Sequence, residues 1–198
     1  MTGKNMKTII MALRLLFIMT VLTGIFYPLL VTGTARLTFP GKAGGSIVFN
    51  KGNAVGSSFI AQKFENARYF RPRPSASDFG TIPSGATNLG ITSAVLKKDV
   101  DRRRAYWIDM LRRYGLKTDE HIPADLLFAS ASGLDPHISP ESAHFQAPII
   151  ASERHFSIGQ VKLLHELIEK RTERPIIGFM GEPRVNVLML NIDLDGME

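Results

Sequence analysis

From Ile9 to Val31 the chain runs for 23 residues with a single charge, Arg14, and from Leu15 to Val31 it has none. At about 1.5 Å per residue such a run reaches about 34 Å as a helix, enough to cross a hydrocarbon core of about 30 Å. This run limits the chain more than any other feature. A water-soluble fold has no place for it unless it is buried on every side. Arg14 sits near one end, where its stem can snorkel to headgroups, and Tyr27 lies towards the other interface. Pro28 is expected to kink or end the helix where backbone groups can find water. We therefore expect a transmembrane helix over residues 9–33, preceded by a short tail, residues 1–8. Gly33-Thr34-Ala35 also offers small residues to a signal peptidase, but a signal-peptide core normally has only about 7–15 apolar residues.

Residues 35–198 are of ordinary single-domain length and read as one soluble unit outside the lipid. There is no cysteine, so disulfides and thiolate metal sites are excluded. The net charge of +6 needs dividing before it is read. Three of the 24 basic residues, Lys4, Lys7 and Arg14, belong to the anchor region, leaving 21 against 18 acidic, a net of +3. The first acid is Glu65, so the basic excess lies at the membrane end. That suits a lipid surface better than a nucleic-acid groove, and no nucleic-acid-binding signature is present. Lys4, Lys7 and Arg14 on one flank outweigh Arg36 and Lys42 on the other. The imbalance favours a cytoplasmic N-terminus and an external, periplasmic domain.

Within that domain, residues 40–45 (PGKAGG) read as a flexible exit from the membrane. Ser46–Asn50 and Ala54–Ile60 read as a β-hairpin around Lys51-Gly52-Asn53. Residues 69–90 read as a long ordered loop held by Tyr69, Phe70, Phe79 and Leu89. Thr92 or Ser93 caps a helix running to about Tyr114, stopped by Gly115. Leu96, Val100, Trp107, Leu111 and Tyr114 share one face of it. The other faces are basic (Lys97, Lys98, Arg102–Arg104, Arg112, Arg113), either a solvated surface or a patch for anionic lipid or an acidic partner. Ser157-Ile-Gly-Gln160 is a capping box opening a further helix, with Ile158, Val161, Leu164, His165 and Ile168 as its apolar stripe. Val185–Ile192 reads as a C-terminal strand. The fold expected is a mixed α+β (α/β) domain with a β-hairpin, helices and a C-terminal strand, tethered by one N-terminal transmembrane helix.

Catalytic chemistry finds little support in the sequence. Gly41-Lys42 lacks the rest of a P-loop, there is no G-x-G-x-x-G, and no aspartyl-phosphate sequence (DKTGT) is present. A membrane-anchored hydrolase is the alternative, drawing on Ser130, Ser132, Ser139 or Ser142 and on His121, His137, His144, His155 or His165. None of those serines has G-x-S-x-G or S-x-x-K around it. His137, Glu141 and His144 have helical metal-ligand spacing, but Ser139-Pro140 is a strong helix start and leaves His137 off the face of the other two. Metal binding is not expected. Ala129–Pro140 (ASASGLDPHISP) is rich in turn residues. It is either a rigid connection or a loop whose Ser132, Gly133, Asp135, His137 and Ser139 meet a partner.

Several strings then resemble one known family: Gly56-Ser57 through Gln62, Tyr69-Phe70, Arg73-Pro-Ser-Ala76, Ser84 through Gly90 (SGATNLG), and Pro123-Ala-Asp125-Leu126. Ser130 through Pro140, Gln146 and Gly181-Glu-Pro-Arg-Val-Asn-Val-Leu188 continue the match. The chain resembles the C subunit of the Kdp high-affinity potassium-transporting ATPase of bacteria. Departures are mild: Leu127-Phe128 for a usual Val-Thr, Ala86-Thr87 for Gly-Ser, and Ile91 for proline. The resemblance implies a non-catalytic accessory subunit of an ATP-driven potassium importer in the bacterial inner membrane, with no cofactor of its own. Its implied partners are a channel-like potassium-translocating subunit, a P-type ATPase subunit, a very small hydrophobic subunit and membrane lipids. It also implies help in assembly and a rise in the pump's ATP affinity, with Gln146 as the residue linked to ATP. The hydrolase and a free-standing adhesion or scaffold domain are the other function classes.

Overall fold

The computed structural model describes residues 3–119, 121–175 and 177–197. The chain divides after Ile47 into two compact units. In the first, helix α1 (Gly3–Val21), a five-residue π-helical turn (Leu22–Phe26) and α2 (Tyr27–Thr38) form one continuous rod. Over Asn5–Thr38 it is long and apolar enough to cross a membrane. Pro28 neither ends the helix nor starts a loop. It stands in the first turn of α2, directly after the π turn. Proline has no N–H to give the carbonyl four residues back, and its ring crowds that carbonyl. The wider π register accommodates both, as Tyr27 N–H bonding to Leu22 O shows. Thr23, Thr34 and Thr38 each return their hydroxyl to the carbonyl four residues earlier, so the apolar rod carries those hydroxyls satisfied. Within residues 40–45, Pro40–Ala43 forms α3, one helical turn with Pro40 at its start.

Next, β1 (Ile47–Asn50) and β2 (Asn53–Ser57) form the expected hairpin. Lys51 and Gly52 both have positive φ, 49° and 82°, as a two-residue turn matched to strand twist requires.

From Ser58 to Ser93 there is neither helix nor strand. Helix α4 (Ala94–Arg113) then starts at Ser93, whose hydroxyl accepts the Leu96 N–H, and stops at Gly115 in the left-handed region. A short α5 (Ala124–Leu127) leads to β3 (His137–Ile138) and α6 (Pro140–Glu153), capped by Ser139 as expected. Helix α7 (Ile158–Arg171) opens with the complete Ser157/Gln160 capping box. Ile158 does not belong to its buried stripe. At the first helical position it is 91% exposed, and Val161, Leu164, Leu167 and Ile168 face the core instead.

Strands β4 (Thr172–Glu173) and β5 (Arg184–Asn186) complete a three-stranded antiparallel sheet ordered β3-β5-β4. Ile138 and Thr172 both pair with Val185 from its two sides. The expected strand Val185–Ile192 is a correction. Only its start is extended, and Val187–Asp195 is helix α8. The Asn186 side chain accepts the Met189 N–H, an N-cap signal hidden inside an apolar run. Buried Val187, Leu188, Leu190, Asn191 and Leu194 then follow helical spacing.

Helix α6 separates two cores. On one side Ala147 and Ile150 meet Phe70, Leu164, Ile168 and Leu190. On the other Phe145 and Ile149 meet Trp107, Leu111 and Leu126, with Trp107 edge-on to Phe145 at 5.6 Å. Apolar demand on both faces explains why α6 has no one-sided pattern in sequence.

Candidate functional site

The coil that begins at Ser58 is held at Ser58, Phe70 and Arg71 by side-chain amides that do the work of strand partners. Gln146, 2% exposed in the middle of α6, accepts the Arg71 N–H on Oε1 at 2.8 Å and donates Nε2 to the Arg71 carbonyl at 3.2 Å. One residue earlier, Asn191 on α8 does the same for Phe70, at 2.8 and 2.9 Å. Asn186 donates Nδ2 to the Ser58 carbonyl, and Gln62 donates to the Val55 carbonyl, both at 2.8 Å. Buried backbone groups in a coil need partners, and these amides supply donor and acceptor together.

The fixed coil in turn supports the Ala129–Pro140 loop. Ser130 N–H bonds to the Pro74 carbonyl, and the Leu134 carbonyl accepts from Ala61 N–H. Gly133 has φ +72°, and a Cβ there would lie 2.9 Å from both the Gly85 carbonyl oxygen and the Ser77 hydroxyl. Only glycine fits the backbone angle and the close approach. Ser132 is exposed, its hydroxyl accepting the Leu134 N–H. Asp135 accepts the His137 N–H on Oδ1 at 3.0 Å, and its Oδ2 receives Arg73 Nη1 at 3.3 Å. Burial works to raise the Asp135 pKa. The hydrogen bonds from the His137 side chain and N–H and the charge of Arg73 outweigh it, holding the carboxyl below its ordinary value. Ser139 caps α6, and Asp125 on α5 accepts both the Ser139 N–H and the Ser142 hydroxyl.

Arg73, Asp125, Asp135, His137, Glu141 and Arg184 line an open cleft of about 570 Å³ beside this loop. Four of the five residues proposed from sequence as an interface, Gly133, Asp135, His137 and Ser139, are therefore held in place from within, and Asp135, His137 and Ser139 line or border the cleft. Gln146 is not at the cleft; it is buried with both amide atoms engaged.

Of the serines and histidines considered for hydrolysis, His137 and Ser139 lie together at the cleft with Asp125, and the others do not line it. Ser130 is buried, and Ser142 gives its hydroxyl to Asp125. His137 lies on β3. His144 joins His165 (Nδ1 to Nδ1, 2.9 Å) and Glu169 (2.9 Å) across α6 and α7. Among the described residues no three such side chains form a group that could hold a metal ion. Sequence reasoning missed Asp125, Asn186 and Asn191. For the two asparagines, the readable signal is a polar amide inside an otherwise apolar run.

Together these features define a class: a chain with one helix able to span a membrane and a mixed helix-and-sheet unit whose best-organised loop borders an open charged cleft. The family model for the K+-transporting ATPase c chain, KdpC, matches residues 9–196, and the chain belongs to that family, a subunit of the potassium-transporting ATPase complex. A "Potassium-transporting ATPase KdpC subunit" of Geobacter sulfurreducens is 47% identical over 194 residues, covering 96% of this chain and 98% of that one. One of Leptospira interrogans is 44% identical over 190 residues, covering 96% and 94%. One of Myxococcus xanthus is 46% identical over 192 residues, covering 96% and 88%.

Proposed function

We propose that the chain is an accessory subunit without catalytic residues of its own, which docks through the Ser132–Pro140 loop and its cleft onto the channel-like or P-type ATPase subunit. The small hydrophobic subunit and membrane lipids are its neighbours around the anchor. The observation that carries this reading is the rigid presentation of Arg73, Asp135 and His137. Their side chains are only 30%, 30% and 21% exposed, yet they line an open cleft. A loop ordered before binding loses little entropy on docking. Any effect on ATP affinity then passes through the assembled complex, as a coupling between separate sites, and not through Gln146, whose amide is occupied.

The test removes the outward polar groups. His137→Ala, alone and with Asp135→Ala, is expected to weaken assembly about 10- to 100-fold, the cost of losing a hydrogen bond to a charged group. Recovery of the complex through a tag on the pump subunit measures it, with thermal melting of the full chain as control. Unchanged recovery sinks the docking reading, and so does a loss of recovery fully matched by a collapse in melting temperature.

We also propose a cytoplasmic N-terminus, supported by the flanking charges Lys4, Lys7 and Arg14. Protease added outside spheroplasts is expected to digest the domain while leaving the anchor. Protection of the domain until lysis would invert the orientation.

A further inference from the structure

A second cavity, of about 350 Å³, opens between α4 and the Lys63–Phe79 stretch of the coil and shares no lining residue with the Asp135 cleft. Its walls combine two chemistries. Phe64, Phe79, Tyr106, Trp107, Pro72 and Pro74 supply apolar and ring surface, with Leu126 among the lining residues. The charged lining is four cations, Lys63, Arg71, Arg102 and Arg103, against one carboxylate, Glu65.

Two of those cations are already committed. Lys63 bridges Glu65 at 3.2 Å and Asp78 at 3.0 Å, and Arg102 pairs with Asp99 at 3.0 Å. The other two have no carboxylate within ion-pair distance among the described residues. Arg103 is half-buried and donates Nη1 to the Leu127 carbonyl at 2.7 Å. Arg71 donates Nη2 to the Glu65 carbonyl and lies 5.0 Å from the centre of the Tyr106 ring. Burial lowers the Arg103 pKa below its ordinary value despite the pull of Asp99, the direction expected of a guanidinium short of counter-charge. Guanidinium groups beside an apolar wall, with donors to spare, are what a carboxylate or phosphodiester on an apolar body requires.

We propose that this cavity is a binding site for an amphipathic anion, with its apolar body against Trp107 and the Pro72–Pro74 wall and its charge on Arg71 and Arg103. The site does not depend on the docking loop.

Trp107 is the only tryptophan in the chain, so tryptophan emission comes from a residue in the wall of this cavity. The full chain in a neutral detergent is titrated with 3-phenylpropionate, with its uncharged counterpart 3-phenylpropanol, and with acetate. A saturable change in Trp107 emission is expected with the acid, about tenfold weaker binding with the alcohol, and none with acetate. Arg103→Gln and Arg71→Gln are each expected to reduce the preference for acid over alcohol, as added salt should. Dihexanoylphosphatidylglycerol in place of the acid separates the sources. Tighter binding of the phosphodiester assigns the site to a lipid headgroup, and tighter binding of the carboxylate to a free acid. Equal affinity for acid and alcohol on the unaltered chain, or a response that never saturates, overturns the proposal and needs no variant to fold.

Discussion

Replacing Gln146 by leucine is expected to destabilise the chain by about 2–4 kcal/mol while leaving the volume of the site nearly filled. The estimate follows from what the amide holds. Its loss strands the Arg71 N–H and the Arg71 carbonyl together. Each orphaned buried group costs about 1–3 kcal/mol, reduced here because Arg71 is only half-buried. For a chain of this size that is a drop in melting temperature of roughly 5–15 °C. Gln146→Glu should be at least as severe at neutral pH, because an ionised carboxylate buried there still accepts from Arg71 N–H but sets its second oxygen against the Arg71 carbonyl. Thermal melting of the full chain in detergent measures both. If Gln146→Leu melts like the unaltered chain but changes the pump's ATP affinity, the clamp is not its role and a direct part in nucleotide binding returns. If stability and ATP affinity fall together, and stabilising conditions restore both, Gln146 acts by holding the domain in shape.

The elements that could be read from sequence are those specified by their own residues. Ser93, Ser139 and Ser157 cap helices because a hydroxyl three residues ahead of an N–H is a local device, and Gly115 stops α4 for an equally local reason. Lys51-Gly52 turns the hairpin in the same way. What escaped was decided at a distance. Val185–Ile192 has the composition of a strand, and it becomes helix α8 because it is buried against α7 and β5 after Asn186 has capped it. Pro28 is the exception: it reads as a break, yet the adjacent π turn, itself a local feature, absorbs it.

The candidate site divides along the same line. Ser139 and the Asp135 turn were legible, since each bonds within a few residues of itself. The partners that give Asp135 and Ser139 their setting come from 62 and 14 residues away, in Arg73 and Asp125. Gln146, named from the family resemblance, stands in the structure as one of two matched clamps. The second, Asn191, reaches its partner across 121 residues, and the local pattern shows a polar amide in an apolar run but not what it holds. Buried amides inside apolar helices are the mark such clamps leave in a sequence.

Phe70→Ala is expected to have the largest effect of any single change in the coil, about 3–5 kcal/mol. Phe70 is fully buried, its ring lodged among the α6, α7 and α8 side chains, and its own N–H and carbonyl are held by Asn191. Removing the ring leaves a cavity in a core that three helices and a sheet prevent from closing. The consequence should also travel. The coil that Phe70 pins is the one whose Pro74 carbonyl and Ala61 N–H hold Ser130 and Leu134. Amide exchange is therefore expected to accelerate at Ser130 and Ala61 in Phe70→Ala more than at Leu164 or Ile168 in α7. Phe70→Leu, which refills most of the space, should restore protection along with stability. If Phe70→Ala loses stability while Ser130 and Ala61 keep their protection, the coil is held by the amide clamps alone. The loop at the cleft would then owe nothing to the hydrophobic core beneath it.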